Sequence, residues 1–164
     1  MGKVEALWTK RAHRGVMDPA EQVTLIAGDG IADDANRGRR KRQVTVVEKE
    51  VFDRIRARMP EVGPYMRRAN VMVSGLPLEG SRNRVLRLGN VRILIHGETR
   101  PCERMDAQVA GLTVALAPRW NGGVYGVVLD DGAVRVGDDA SWEVVAADAE
   151  PTPAGAEVAS GDTP

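Results

Sequence analysis

Short apolar runs with a two-residue period dominate this chain. Val4 to Thr9, Gln22 to Ile26, Gln43 to Val47, Asn70 to Ser74, Val85 to Leu88 and Val91 to His96 each alternate or cluster aliphatic and β-branched residues over strand-like lengths. They predict a sheet wrapped round one core. Gly89-Asn90 separates two of these runs, and both residue types tolerate positive φ, so a tight hairpin is expected there. A second hairpin is expected from Tyr125 to Leu129, through Asp130-Asp131-Gly132, into Ala133 to Val136.

Helical periodicity is rarer. Glu48 and Glu50 stand where a helix N-terminus favours carboxylates, and Val51, Ile55 and Met59 recur every fourth residue before Pro60 stops the run. Pro101 to Met105 and Val109 to Leu116 suggest one or two short helices, broken near Gly111, which also suits a C-cap. Residues 146–164 are Ala-, Pro-, Gly-, Thr- and acid-rich without apolar period, which predicts a disordered C-terminal tail after a domain of residues 1–145. The fold class expected is mostly β with a few short helices.

Composition narrows the function more than the fold. The chain has 164 residues and a 43% apolar share, enough for one domain with its own core. Basic and acidic residues balance at 23 each, so no overall field favours nucleic acid or an anionic membrane, and recognition must be local. A single cysteine cannot form an internal disulfide, and no long apolar run marks a signal peptide or membrane span, so a cytoplasmic location is expected. Scarce aromatics argue against a base-stacking platform.

Chemistry points to that one cysteine. Cys102 follows a strand run ending near His96 and Gly97, and Pro101 fixes the approach of the chain. If Pro101 opens a helical turn, Cys102 stands at its N-terminus, where the dipole favours a thiolate, with Arg100 and Arg104 adding positive charge. A thiolate can ligate a soft metal, carry sulfur as a persulfide or attack an electrophile. A buried structural cysteine is the plain alternative.

The segment Gly97-Glu98-Thr99-Arg100-Pro101-Cys102 resembles the most characteristic segment of MOSC domains, found at the C-terminus of molybdenum-cofactor sulfurases and in amidoxime-reducing enzymes. Arg42 to Val47, Arg68 to Leu76, Leu88-Gly89, and Trp120 to Gly126 followed by Val136-Gly137-Asp138 are similar to further blocks of that family in their usual order. The resemblance implies a MOSC-type, barrel-like β fold and a cleft where a pterin-based molybdenum cofactor, or sulfur destined for it, meets Cys102 as metal ligand or persulfide site. It further implies anchors for an anionic cofactor at Lys10, Arg11, Arg68, Asn70, Ser74, Thr99 and Arg100. Asn70 would meet the pterin edge and Ser74 a phosphate oxygen, against the plainer reading of a strand start and a strand cap.

Two activities follow from the resemblance. One is reduction of a small N-hydroxylated substrate, with electrons from a separate redox partner, because the chain has no iron–sulfur or flavin motif of its own. The other is sulfur carriage from a cysteine desulfurase; some family members are fused to such a pyridoxal-phosphate domain, which this chain is too short to contain. A non-catalytic module for another anionic ligand, with Cys102 structural, stays open as the alternative. Where many members carry a histidine and paired glycines, this chain has Asn36-Arg37-Gly38-Arg39-Arg40-Lys41-Arg42. That run reads first as a solvated loop, offset by Asp29, Asp33 and Asp34, and second as a lid over an anionic cofactor. It is also the one place where a nucleic-acid contact is conceivable. His96 reads as a partly buried strand histidine and His13 as a loop residue; their spacing from Cys102 argues against a structural zinc site. Trp120 to Gly126 reads as a loop whose glycines permit close backbone approach.

Overall fold

The computed structural model describes residues 2–13, 15–100, 105 and 108–144. The expected tail, and Cys102 with its immediate neighbours, lie outside the described residues.

Seven strands close on themselves. β1 (Gly2–Lys10), β5 (Val44–Glu48), β6 (Val71–Ser74), β7 (Val85–Leu88), β8 (Val91–Glu98), β9 (Val124–Val128) and β11 (Asp139–Trp142) pair in the order β11-β7-β8-β9-β5-β6-β1, and β1 pairs back to β11. The result is a seven-stranded β-barrel. All neighbours are antiparallel except β5 and β6, whose parallel pairing is permitted by the crossover through helix α1 (Lys49–Arg58). β2 (Met17–Ala20) extends the sheet along the second half of β1. A smaller sheet of β10 (Gly132–Arg135), β3 (Gln22–Ile26) and β4 (Gly30–Ile31) packs on the barrel.

The alternation read from the sequence is the alternation that folds. Along β8, Val91, Ile93, Ile95 and Gly97 are buried, while Arg92, Leu94, His96 and Glu98 between them are only partly covered. Their inward partners include Val4, Leu7, Val44, Val46, Val71, Val73, Leu86, Leu88, Val124 and Val128, and Val23, Leu25, Ile31 and Val134 of the small sheet join the same core. Each such side chain contributes roughly 1.5–3 kcal/mol by leaving water. A second core covers the outer faces of β5 and β6, where Val47 and Met72 meet Val51, Phe52 and Ile55 of α1 together with Met105, Leu112 and Leu116. The β7–β8 hairpin turns at Gly89 with φ 58°, as Gly-Asn predicts.

The second expected hairpin does not form. β9 is already paired on both edges, to β8 and to β5, so β10 has no edge of β9 to join and pairs with β3 instead. Asp130, in the link, accepts from the Arg92 backbone N–H at 3.0 Å and from Nε and Nη2 at 2.9 and 3.0 Å, tying the chain to β8 as it leaves the barrel. α1 runs from Lys49 to Arg58 and stops at Met59, before Pro60, with Glu50 in its first turn and Arg56 and Arg58 in its last. The later helix, α2 (Leu112–Leu116), begins directly after Gly111, which has φ 88°.

Candidate functional site

A cavity of about 230 Å³ opens beside the outer face of β5. Its wall is built from strand ends and the segments that follow them: Lys10 ends β1, Thr45 lies in β5, Arg67, Arg68 and Ala69 lead into β6, Thr99 follows β8, and Gly122 precedes β9. His13, Asn36, Arg39 and Arg42 come from the loops on the near side, and Met105 closes the floor. Lys10, Arg39, Arg42, Arg67 and Arg68 give this wall five cations, and among the described residues no carboxylate lines it.

The wall stands on a buried polar network. Asp34, 5% exposed, accepts from the backbone N–H of Lys10 at 2.7 Å and of Asn36 at 3.0 Å, and from Asn70 Nδ2 at 3.0 Å. Asn70, 1% exposed, accepts at Oδ1 from the backbone N–H and hydroxyl of Thr45 and donates through Nδ2 to Trp8 O as well. These bonds lock the end of β1 against the starts of β5 and β6. Each of these buried donors and acceptors is matched, which burial demands.

Two arginines do different work. Arg67 donates from Nε to Gly122 O at 2.9 Å and from Nη2 to Thr99 O at 3.0 Å and Arg100 O at 3.3 Å, strapping the end of β8 to the glycine loop. Thr99 adds to the strap: its N–H reaches Gly123 O at 2.8 Å and its hydroxyl Gly122 O at 2.5 Å. Gly123 permits this close approach, because a Cβ there would stand 2.2 Å from Val46 O, and its φ is 95°. Arg68 instead sits in the left-handed region, φ 64°, at the end of the Pro64–Arg67 turn, with its Nη2 buried and unpaired. A bulky residue held at positive φ and a buried guanidinium nitrogen without an acceptor both cost free energy.

Electrostatics agree. Burial pushes the Lys10 ammonium below its ordinary value; Asp34 opposes this, while Arg68, Arg39 and Arg42 add to it. His13 lies 3.3 Å through Nε2 from Arg39 Nη2. Farther out, Arg42 stacks over the Tyr125 ring at 5.3 Å and His96 stacks against the same ring at 6.5 Å, with burial and Lys41 holding the imidazole below its usual pKa.

Of the anchors expected from the sequence, Lys10, Arg68 and Thr99 line the cavity. Asn70 lies beneath the wall, committed to the network just described. Arg11 is turned outward and pairs with Asp18 at 2.7 and 2.9 Å. Ser74 lies at the other end of β6 and donates to Glu5 at 2.6 Å. Arg100 is outside the cavity, 87% exposed and 3.8 Å from Glu98. Cys102 is outside the described residues, but Thr99 and Met105, which bracket it in sequence, both line the cavity. Sequence reasoning missed His13, Thr45 and Arg67 as wall residues, while Gly122 lies in the glycine loop it read for close backbone approach and Asn36 opens the basic run. It met Arg39 and Arg42 only in the lid reading of the basic run, and that run divides: Arg39 and Arg42 face the cavity, Arg37 pairs with Asp29, and Arg40 and Lys41 are exposed.

The comparisons give this barrel and its cation-lined cavity a family. Residues 33–141 match the family model of the MOSC domain, so the chain belongs to the MOSC family, which is associated with molybdenum-cofactor binding. The fold is shared with the YuaD protein of Bacillus subtilis, at 24% identity and TM-score 0.71 over 85% of this chain and 94% of that one. It is likewise shared with YiiM of Escherichia coli (14% identity, TM-score 0.65, 90% and 73% covered) and YiiM of Geobacillus stearothermophilus (15%, 0.68, 88% and 76%). No curated protein matches the chain in sequence. Among the described residues, no helix is long and apolar enough to cross a membrane.

Proposed function

We propose that this protein holds an anionic, pterin-based molybdenum cofactor in the cavity, with the Cys102 thiolate as its protein sulfur ligand. The observation that carries the reading is the wall of five cations, with no carboxylate among the described residues that line it. The residues suit the group. Lys10, Arg39 and Arg68 supply charge-assisted donors for a phosphate, and Thr45 and Asn36 offer polar edges to a heterocycle. Thr99 and Met105, which bracket Cys102 in sequence, both line the wall.

When bound, the group supplies two-electron reduction of a small N-hydroxylated substrate, with two protons taken up and water released. The chain's own residues bind and orient. Arg67 and Thr99 fix the strand end that precedes Cys102, and the Arg42–Tyr125 stack walls the approach. Electrons come from a separate protein partner. The sulfur-carrier alternative uses the same cysteine, loaded by a cysteine desulfurase, and the cavity as its delivery site.

The test is expression in a cofactor-competent host, followed by pterin fluorescence of the released ligand and intact mass of the protein. Wild type is expected to release a fluorescent pterin that Cys102→Ser retains poorly. A sulfur-sized mass increment on Cys102 after treatment with a desulfurase and cysteine, with no pterin, replaces the reductase reading by the carrier one. Neither signal in wild type defeats both.

A further inference from the structure

The cavity does not use all the cations gathered near it. A shallow groove beside its mouth is lined by Lys41, Arg42, Arg82, Glu98, Arg100 and Tyr125, and a second depression runs along residues 38–42. Arg42 belongs to cavity and groove alike, so the two are continuous. Arg40, Lys41 and Arg82 are exposed and have no ion-pair partner among the described residues. The one carboxylate among the described residues of the groove, Glu98, is taken by Arg100 only at 3.8 Å. Like charges set side by side also repel, at a cost to the folded state.

We infer that this basic rim is a docking surface for a partner protein with an acidic face, which seats over the cavity mouth. Charge complementarity of this kind steers encounter and fixes register. Two other polyanions fit less well. Single-stranded nucleic acid needs open aromatic faces, whereas Tyr125 is covered by Arg42 and His96, and Trp142 by Arg84 at 4.4 Å. An anionic membrane surface needs apolar side chains to insert, and the exposed large apolar residues Val16, Tyr65, Val114, Val136 and Val144 do not line the groove. The inference rests on the cavity as the reaction site, since that is what gives a partner reason to seat there.

The test measures fluorescence anisotropy of labelled decaglutamate, a thymidine decanucleotide and phosphatidylserine vesicles against the full chain. The proteins compared are wild type, the triple variant Arg40→Glu/Lys41→Glu/Arg82→Glu, and Arg68→Gly. Decaglutamate is expected to bind wild type most tightly and to weaken as salt rises. The triple variant is expected to lose at least about tenfold in affinity, while Arg68→Gly keeps it. Thermal denaturation of the triple variant at or above wild-type Tm shows that repulsion, not a folding defect, has been removed. Unchanged decaglutamate binding in the triple variant, or tighter binding of the oligonucleotide or vesicles by wild type, overturns the inference. Molybdenum retained by the triple variant separates the rim from the cavity. A wild type without molybdenum, yet with rim-dependent peptide binding, sinks the cofactor reading and leaves the docking surface standing.

Discussion

The three strands β1, β5 and β6 carry opposite charges at their two ends, and the two ends treat those charges differently. At one end stand Lys10, Thr45 and the Arg67–Asn70 segment. At the other, about 10 Å along β5 at a strand rise of roughly 3.3 Å per residue, stand Glu5, Glu48, Glu50 and Ser74. The acidic end finds its donors within the chain. Ser74 Oγ donates to Glu5 at 2.6 Å, Gly75 N–H to Glu50 at 2.7 Å and Leu78 N–H to Glu48 at 3.3 Å, although Glu50 Oε1 stays buried without a partner. The basic end satisfies its buried amides and carboxylate and leaves its cations facing a cavity, with Arg68 Nη2 unpaired and Lys10 pushed down by burial. Each end thus keeps one buried orphan, Glu50 Oε1 and Arg68 Nη2, and the ends differ in what lies beside it: backbone donors at one, a cation-lined cavity at the other. At the cavity end Arg67 is strapped to backbone carbonyls, while Lys10 and Arg68 line a cavity whose charge suits an anion.

The largest break in this contrast comes from the network beneath the cavity. Asp34→Ala strips acceptors from two backbone N–H groups and from Asn70, so it is expected to cost about 2–4 kcal/mol, a Tm fall of roughly 5–15 °C, read by denaturant and thermal unfolding. Ser74→Ala at the acidic end, where a single hydroxyl bond is lost, is expected to cost less than about 1.5 kcal/mol. Equal losses at both ends would erase the distinction.

A middle-sized effect lies in the pH dependence of the cavity. Lys10 holds its proton less tightly in the folded chain than in the unfolded one, so its charge removes stability below its folded pKa, and that loss is relieved as pH rises through it. A bound anion favours the charged form. Phosphate affinity, measured by calorimetry, is therefore expected to fall as pH climbs through a value below the ordinary lysine range, and Lys10→Arg is expected to move that fall to higher pH. A flat profile in wild type would remove Lys10 from the anion site.

The smallest effect belongs to Glu48, whose carboxyl is raised mainly by burial and further by Glu50 and Glu79. The folded chain binds this proton more tightly than the unfolded one, so the stability linked to it is present at low pH and lost as pH rises through the folded value. Glu48→Gln keeps an acceptor for Leu78 and removes the charge. It is expected to raise Tm by about 1–3 °C at neutral pH and by nothing near pH 4.

The sequence disclosed the parts of this molecule that depend on local pattern. The alternation from Val91 to His96, the Gly89 turn and the helix ending before Pro60 were all legible, because side-chain periodicity and backbone tolerance act over a few residues. The β9–β10 hairpin was misread because the missing information is non-local: β9 had no free edge once β5 and β8 had taken both. The site divides in the same way. Arg68 and Thr99 were singled out through their blocks and Lys10 at the end of the first strand run, and these three line the cavity. Arg11 follows Lys10 and Ser74 shares a block with Arg68, yet one points outward to Asp18 and the other lies a strand's length away, which only strand direction and register reveal. Arg67, adjacent to Arg68, carried no signal for its strap, since its acceptors are backbone carbonyls of residues 99, 100 and 122.

The most direct measurement is molybdenum per protein chain after purification from a cofactor-competent host, for wild type, Arg68→Gly and Glu48→Gln in parallel. Glycine relieves the positive φ at residue 68, so Arg68→Gly is expected to stay folded, within about 1 kcal/mol of wild type, while it empties the cavity of its buried guanidinium. The account predicts molybdenum approaching one per chain in wild type and Glu48→Gln and a loss of most of it in Arg68→Gly. Molybdenum absent from wild type, or equally abundant in all three, would contradict it.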